Sequence, residues 1–97
     1  MTTYVLLLNF SEQGICKVKE TAKRAEAFRK MADKVHARVK EVYWTLGSYD
    51  GVLILEAPDE ATATSLALSL GSLGFVRTQT LRAFSGKEVG RFLAKMA

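Results

Sequence analysis

The sequence predicts one α+β domain, residues 1–97, with a ferredoxin-like β-α-β-β-α-β order and a short C-terminal helix. Apolar side chains recur at helical spacing in two long segments, and four other segments are rich in β-branched, aromatic and aliphatic residues. Turn-forming residues separate these segments. Right-handed crossovers then give an antiparallel sheet in the order 4-1-3-2, with both long helices on one face.

The first half of the chain predicts a strand, a helix and the outgoing arm of a hairpin. Residues 3–10 form strand one, which stops at the segment Ser11–Gly14. Apolar residues from Ile15 to Val35 recur as in an amphipathic helix of about five turns. Residues 38–46 are again β-rich, and the segment Gly47–Gly51 predicts a tight turn.

The second half predicts the returning arm, a second long helix and a fourth strand. The returning arm covers residues 52–57, and Asp59 is a suitable N-cap for the helix that follows. Gly74 ends that helix, residues 75–84 form strand four, and Ser85 caps the C-terminal helix.

Composition narrows the function classes. Cys16 and His36 are the single cysteine and histidine, so an intrachain disulfide and a multi-cysteine metal site are excluded, and we expect no metal and no cofactor. His36 falls at a helix end, where histidine commonly caps carbonyls. Residues 1–4 show no basic region or cleavage site, and no apolar segment is long enough for a membrane span. We therefore expect no leader peptide and a cytoplasmic protein without membrane contact.

The net charge is +4, and nine of the 14 Lys and Arg residues lie between Lys17 and Lys40. Such a cluster can attract phosphates. Its charges, however, alternate with apolar positions around the helix, as on a solvated helix face. The strand of residues 52–57 also lacks the aromatic residues that RNA-binding sheets present, which disfavours nucleic-acid binding.

The hairpin sorts the strand residues into two faces. A four-residue turn over residues 47–50 pairs Leu46 with Gly51 and fixes the alternation of the two arms. The face under the helices is then predicted to hold Tyr4, Leu6, Leu8, Phe10, Val42, Trp44, Leu46, Leu53, Leu55, Ala57, Phe75, Leu81 and Ala83. The open face is predicted to hold Thr3, Val5, Leu7, Asn9, Val39, Glu41, Tyr43, Thr45, Val52, Ile54, Glu56, Val76, Thr78, Thr80, Arg82 and Phe84.

Six apolar side chains on the open face predict self-association. They are Val5, Leu7, Val52, Ile54, Val76 and Phe84. Leaving them in water forgoes roughly 1.5–3 kcal/mol each, or ~9–18 kcal/mol in total. This is comparable with the whole stability of a small domain, about 5–15 kcal/mol. We therefore expect a second copy to cover this face, sheet against sheet, as a homodimer or higher homo-oligomer.

The polar residues of the same face predict a ligand cavity between the two sheets. They are Asn9, Glu41, Tyr43, Thr45, Glu56, Thr78, Thr80 and Arg82. In the four-residue-turn register Glu41 lies directly opposite Glu56, which is unfavourable unless a cation lies between them or one of them is protonated, and Arg82 is a candidate cation. The alternative is a solvated rim of the subunit interface.

The chain resembles the GYD-domain family at the turn Gly47-Ser48-Tyr49-Asp50. The similarity continues in Lys40-Glu-Val-Tyr-Trp-Thr-Leu46 before the turn, in Val52-Leu-Ile-Leu-Glu-Ala-Pro-Asp59 after it, and in Arg77-Thr-Gln-Thr-Leu-Arg-Ala-Phe84 near the end. The resemblance implies a small prokaryotic protein of unassigned activity, related to the dimeric α+β barrel group, whose sheets pack in pairs. It implies no catalytic residues.

Three functions stay open from sequence. The first is a small-molecule-binding or regulatory module with its ligand at the oligomer interface. The second is a cofactor-free monooxygenase- or isomerase-like enzyme, in which Glu41 and Glu56 act as acid or base and Tyr43 or Arg82 stabilises an anion. The third is nucleic-acid binding through the basic first helix. Whether the chain is an enzyme is left undecided. Gly47, Tyr49 and Asp50 are either ordinary turn residues or a subunit contact.

Overall fold

A computed structural model describes all residues from Met1 to Ala97. Its strands are β1 (Thr2–Phe10), β2 (Arg38–Trp44), β3 (Gly51–Ala57) and β4 (Val76–Ala83). Its helices are α1 (Glu12–Cys16), α2 (Thr21–Lys34), α3 (Glu60–Ser72) and α4 (Gly86–Ala94), and a 3₁₀ turn over Val18–Glu20 joins α1 to α2. The chain is therefore α+β, as the sequence predicts.

The strands form one antiparallel sheet in the order β2-β3-β1-β4, which confirms the predicted topology. Helices α2 and α3 cover one face of this sheet. The buried core lies between them and the sheet and consists of Tyr4, Leu6, Phe28, Ala32, Ala37, Val39, Leu53, Leu55, Ala57, Ala63 and Leu66. We call the other side of the sheet the open face. No helix is long and apolar enough to cross a membrane.

The prediction of one continuous first helix is wrong. Ser11 caps the short α1 by accepting a hydrogen bond from the Gly14 backbone N–H, 3.0 Å. Gly14 packs so closely on the chain before β4 that a Cβ would lie 1.9 Å from the Phe75 carbonyl oxygen. This junction fixes α1 beside β4, so the chain must turn before α2 begins. Ile15 and Val18, predicted on the apolar stripe, are consequently exposed.

Apart from the start of the first long helix, the predicted helix boundaries agree with the observed caps. His36 follows α2 in the left-handed region, φ 62°, and its N–H donates to the Asp33 carbonyl over 3.2 Å. The Asp59 carboxylate accepts from the Thr62 N–H at the start of α3, 2.8 Å. Ser85 and Glu88 form a capping box on α4. Local sequence rules were sufficient to predict these helix ends.

The hairpin differs from its predicted form in loop length and contains a bulge. Trp44 pairs with Gly51, so six residues, 45–50, connect the strands instead of four. Because the difference is even, Glu41 and Tyr43 still share a face with Val52 and Ile54, as predicted. The register shifts at Lys40, however, and Val39 pairs with Leu55 in the core, where only 2% of it is exposed.

Three hairpin predictions are therefore wrong. Val39 lies under the helices and not on the open face; its carbonyl accepts a hydrogen bond from Arg29 of α2, 2.7 Å. Leu46 lies in the loop and is wholly exposed, not covered by a helix. Glu41 faces Ile54 across the ladder and does not face Glu56.

The predicted faces of β4 are inverted. The β1–β4 register pairs Phe10 with Val76, Leu6 with Thr80 and Tyr4 with Arg82, and paired residues point to the same side. The side chains of Val76, Thr78, Thr80 and Arg82 are thus on the helix side, and those of Leu81 and Ala83 are on the open face. The register is set where the Ser11 N–H donates to the Phe75 carbonyl, 3.0 Å. Five of the eight β4 side chains are polar, and they occur on both faces, so the pattern did not identify the faces.

Candidate functional site

The structure divides the eight predicted ligand-binding residues. Asn9, Glu41, Tyr43 and Glu56 lie on the open face. Thr78, Thr80 and Arg82 lie on the helix side of the edge strand β4, and Thr45 lies in the hairpin loop. Glu56 is level with Thr3 at one end of β1, whereas Asn9 is at the other end, so the four open-face residues are dispersed over the sheet.

Two of the charged residues have nearby partners that the sequence did not predict. The Lys40 ammonium is 3.9 Å from the Glu56 carboxylate, and Arg38 lies directly across the ladder from Glu56. Arg82 donates to the Glu88 carboxylate over 2.9 Å and is held over the Phe84 ring, 4.4 Å from its centroid. The cation beside Glu56 is therefore Lys40, and Arg82 joins β4 to α4.

The hairpin loop lies over the end of β1. The Asp50 carboxylate accepts from the Phe10 N–H, 2.8 Å, and the Asp50 N–H donates to the Leu8 carbonyl, 2.8 Å. The Tyr49 hydroxyl donates to the Gln79 side-chain oxygen, 2.8 Å, which ties the loop to β4. Gly47 has φ 107°, a conformation that favours glycine. The Gly-x-Tyr-Asp turn thus has a structural role here; a subunit contact at Tyr49 stays a prediction.

A cleft of about 130 Å³ lies on the helix side of the sheet, opposite the open face, between α2, the end of α3 and the strands. Thirteen of its 17 lining residues are hydrophobic, and the other four are Thr21, Arg24, Asp50 and Gly51. A shallow depression that includes Glu20 and Lys23 adjoins it and shares Arg24. Apolar walls with a few polar groups are typical of small-molecule sites.

Trp44 lies at this cleft and not in a closed core. Its side chain points to the helix side of the sheet, as predicted, yet 52% of it is exposed because no helix covers that end of β2. Sequence analysis missed the cleft residues Arg24 and Phe75. The sequence signal that could have indicated the cleft was Trp44, an aromatic residue at the end of β2 that the predicted first helix does not cover.

Helix α4 is a second surface with functional potential. Val89, Phe92, Leu93 and Met96 recur at the spacing of one helix face, and all four are between 40% and 72% exposed. The helix is fixed to the domain by the Arg82–Glu88 ion pair in its first turn and by an edge contact between the Phe84 and Phe92 rings, centroids 5.0 Å apart, in its second turn. None of its residues is buried.

Two carboxyl groups have clearly shifted pKa values, and both are helix caps. Hydrogen bonds from the Thr62 side chain and backbone hold the pKa of Asp59 below its ordinary value. The Ser85 backbone N–H, and then the Arg82 guanidinium, lower the pKa of Glu88. No group of three or more His, Cys, Asp or Glu side chains is arranged to hold a metal ion. These shifts reflect helix capping.

Comparison with known proteins identifies the family. The GYD domain profile matches residues 4–93. The chain belongs to the GYD domain family. A protein of Thermus thermophilus named "glutamine synthetase and cystathionine beta-lyase binding protein" is 34% identical over 84 residues, which are 86% of this chain and 88% of that protein.

A solved structure resembles the GYD-domain chain in fold. The crystal structure of TTHA0845 from Thermus thermophilus superposes with a TM-score of 0.57 at 26% identity, covering 89% of this chain and 96% of the other. The predicted resemblance to the family is confirmed.

Proposed function

We propose that this protein is a regulatory binding module that pairs through its open face and binds a metabolic enzyme through α4. The name of the Thermus relative says that it binds glutamine synthetase and cystathionine beta-lyase, and 34% identity over most of both chains supports a partner of the same kind here. Such a module would act in the cytoplasm, beside its partner.

The observation that carries the proposal is the apolar stripe of α4. A helix of nine residues is marginal in water by itself and is normally stabilised by packing of its apolar face. In this chain Glu88 and Phe92 contact the rest of the domain, whereas Leu93 and Met96 are 60% and 72% exposed. An exposed amphipathic helix of this kind can lay its apolar face into a groove on a partner protein.

The charges of α4 favour an acidic partner over a second copy. Lys87, Arg91 and Lys95 recur every four residues, and none of them forms an ion pair within the chain. At helical spacing Lys87 and Arg91 lie on the side of α4 opposite the apolar stripe, and Lys95 lies on its flank. Because the whole chain carries +4, the net electrostatic interaction of a basic helix with a second copy is repulsive. A partner with an apolar groove and a net acidic surface complements both features of α4, because the attraction between opposite charges acts over a longer range than the contact itself.

The open face favours a second copy. Val5, Leu7, Val52 and Ile54 are half-buried in its centre, and Leu81 remains 40% exposed. These side chains belong to three adjacent strands and form one contiguous apolar surface, which monomers seldom leave uncovered. Two such sheets can pack face to face about a twofold axis.

A ligand between the paired sheets is a second, finer part of the proposal. In such a pair Asn9, Glu41, Tyr43 and Glu56 would face the other subunit. Their dispersion over the sheet supports several separate polar contacts more than one compact polar pocket, and ligand binding among them stays a prediction.

The test is binding of purified glutamine synthetase and cystathionine β-lyase from the same organism to the immobilised protein. We expect saturable binding to at least one enzyme. Replacing Phe92 and Leu93 by Ser should abolish it, and Arg91→Glu should weaken it strongly and mainly through the association rate. Lys30→Glu on α2 is the matched control, since it makes the same charge change at an exposed position away from α4.

Measuring the oligomeric state distinguishes an effect on α4 from an effect on the open face. The α4 variants should keep the subunit pairing of the wild type in light scattering, because they leave the open face intact. Retained enzyme binding in both α4 variants would contradict the proposal. So would binding of the wild type to anionic lipid vesicles in place of either enzyme, since a basic amphipathic helix can also bind a membrane surface.

A further inference from the structure

We infer that the cleft between α2 and the sheet binds a small carboxylic acid with an aromatic or branched aliphatic body. This site lies on the helix side of the sheet, away from the open face and α4, and its occupancy is independent of the proposed enzyme partner. Three features support this ligand class. They are the size and apolar walls of the cleft, the free N–H donors of Arg24 and the position of Asp50, the other charged residue of the cleft.

The size and walls of the cleft select the body of the ligand. A volume of about 130 Å³ is close to that of the apolar cavity of ~150 Å³ known to bind benzene. Phe28, Trp44 and Phe75 supply aromatic surface, and Met31 adds a deformable thioether side chain. A single ring or a short branched chain fits this space, whereas a nucleotide or a sugar does not.

Arg24 supplies the charge that selects a carboxylate. Its guanidinium lies 4.4 Å from the centroid of the Phe75 ring and donates to the Lys17 carbonyl, 3.0 Å, and to the Thr21 hydroxyl, 3.2 Å. These contacts hold it in place and use two of its five N–H donors. No carboxylate lies within 4.0 Å of it, because the chain's ion pairs involve other residues.

The surroundings of Arg24 orient the acid. Lys23 lines the adjoining depression with one opposing carboxylate, Glu20, so this end of the cleft is net positive. Asp50 is the other charged residue of the cleft, and its carboxylate is engaged by the Phe10 N–H at 2.8 Å. It repels an anion, so the ligand's carboxylate must bind at the Arg24 end, where a bidentate charge-assisted contact is available.

Trp44 provides a direct readout because it is the only tryptophan and lines the cleft. We would titrate the intact protein with benzoate and isovalerate and follow Trp44 fluorescence, with calorimetry in parallel. Benzyl alcohol and benzylamine test the need for the negative charge. We expect saturable binding of at least one acid, at least about tenfold tighter than the neutral and cationic compounds.

Two variants and a control locate the site. Arg24→Gln should weaken binding of the acid about tenfold or more, whereas Lys30→Gln, which removes a charge from an exposed position of the same helix, should leave it unchanged. Ala25→Leu places extra volume in the cleft and should prevent binding; a thermal melt confirms that this variant is folded, and Arg24→Gln remains decisive if it is not.

Three results would overturn the inference. They are absence of saturation with both acids, equal or tighter binding of benzylamine or benzyl alcohol, and equal effects of Arg24→Gln and Lys30→Gln. A preference for benzylamine would assign recognition to Asp50 instead of Arg24.

Discussion

The two faces of strand β3 show how one sheet can carry apolar residues on both sides for different purposes. Leu53, Leu55 and Ala57 are buried under the helices, whereas the alternating residues Val52 and Ile54 are only half-buried. Both sets have similar hydrophobicity, so composition does not distinguish them. The difference lies in what covers them: α2 and α3 on one side, and on the other, in our proposal, a second subunit.

Truncating neighbouring residues on the two faces tests this difference with the largest expected effect. Leu55 is completely buried, and we expect Leu55→Ala to lower the free energy of unfolding by about 2–5 kcal/mol at any protein concentration. Ile54→Ala should cost less in dilute solution and more as the concentration rises, because its side chain is buried by association. Urea denaturation at two protein concentrations checks both. Equal, concentration-independent losses would mean that the faces do not differ.

The covered side is also tightly packed at its edge, where α1 meets the start of β4. A Cβ at Gly14 would overlap the Phe75 carbonyl, so Gly14→Ala should destabilise the fold by about 1–3 kcal/mol. Gly71→Ala is the control, since nothing lies within 4 Å of its added methyl group inside α3. We expect that change to stabilise the protein by up to about 1 kcal/mol. Thermal unfolding that shifts in the same direction for both variants would disprove the close contact.

The Gly-x-Tyr-Asp turn connects the two faces at one end of the sheet. Removing the Asp50 carboxylate deprives the part-buried Phe10 N–H of its acceptor, so Asp50→Ala should cost about 1–3 kcal/mol. Ser48→Ala, at an exposed position of the same loop, should cost almost nothing. Chemical denaturation of the two variants gives the comparison. If Asp50→Ala retains wild-type stability, the structural role we assign to this side chain is wrong.

The smallest expected effect is the pH dependence of the α4 cap. Hydrogen bonds lower the pKa of Glu88 from its ordinary 4.5, so the ionised form is the one that the fold favours. Its contribution is complete above about pH 4.5 and is lost as the pH falls through the lowered pKa. The protection of the α4 amides, measured as exchange relative to the intrinsic rate at each pH, should therefore fall in acid, and less so in Glu88→Gln. Identical pH profiles for the wild type and Glu88→Gln would exclude Glu88 as the source of the pH dependence.

The covered side of the sheet was the more predictable part. Strand order and the caps at Asp59 and Ser85 follow from local patterns and general topology rules, and the structure agrees with them. The division of the first helix depended on the approach of Gly14 to Phe75, two residues 61 positions apart in the sequence. The helical spacing of apolar residues does not reveal a contact between residues so far apart in the sequence.

The candidate site was less predictable because it depends on strand register. An unseen bulge at Lys40 moved Val39 into the core, and the polar edge strand β4 gave no alternation from which its faces could be assigned. The predicted polar cluster around Arg82 was divided for this reason. The cleft beside Trp44 was not predicted, because its shape depends on where the first turns of α2 lie relative to the sheet.

Light scattering of the purified protein at micromolar concentration tests the central claim most directly. We expect a species of at least twice the chain mass, which Ile54→Lys converts to a folded single subunit by placing a charge in the centre of the open face. A wild-type protein that remains a single subunit at these concentrations, with its open face accessible to solvent, would contradict it.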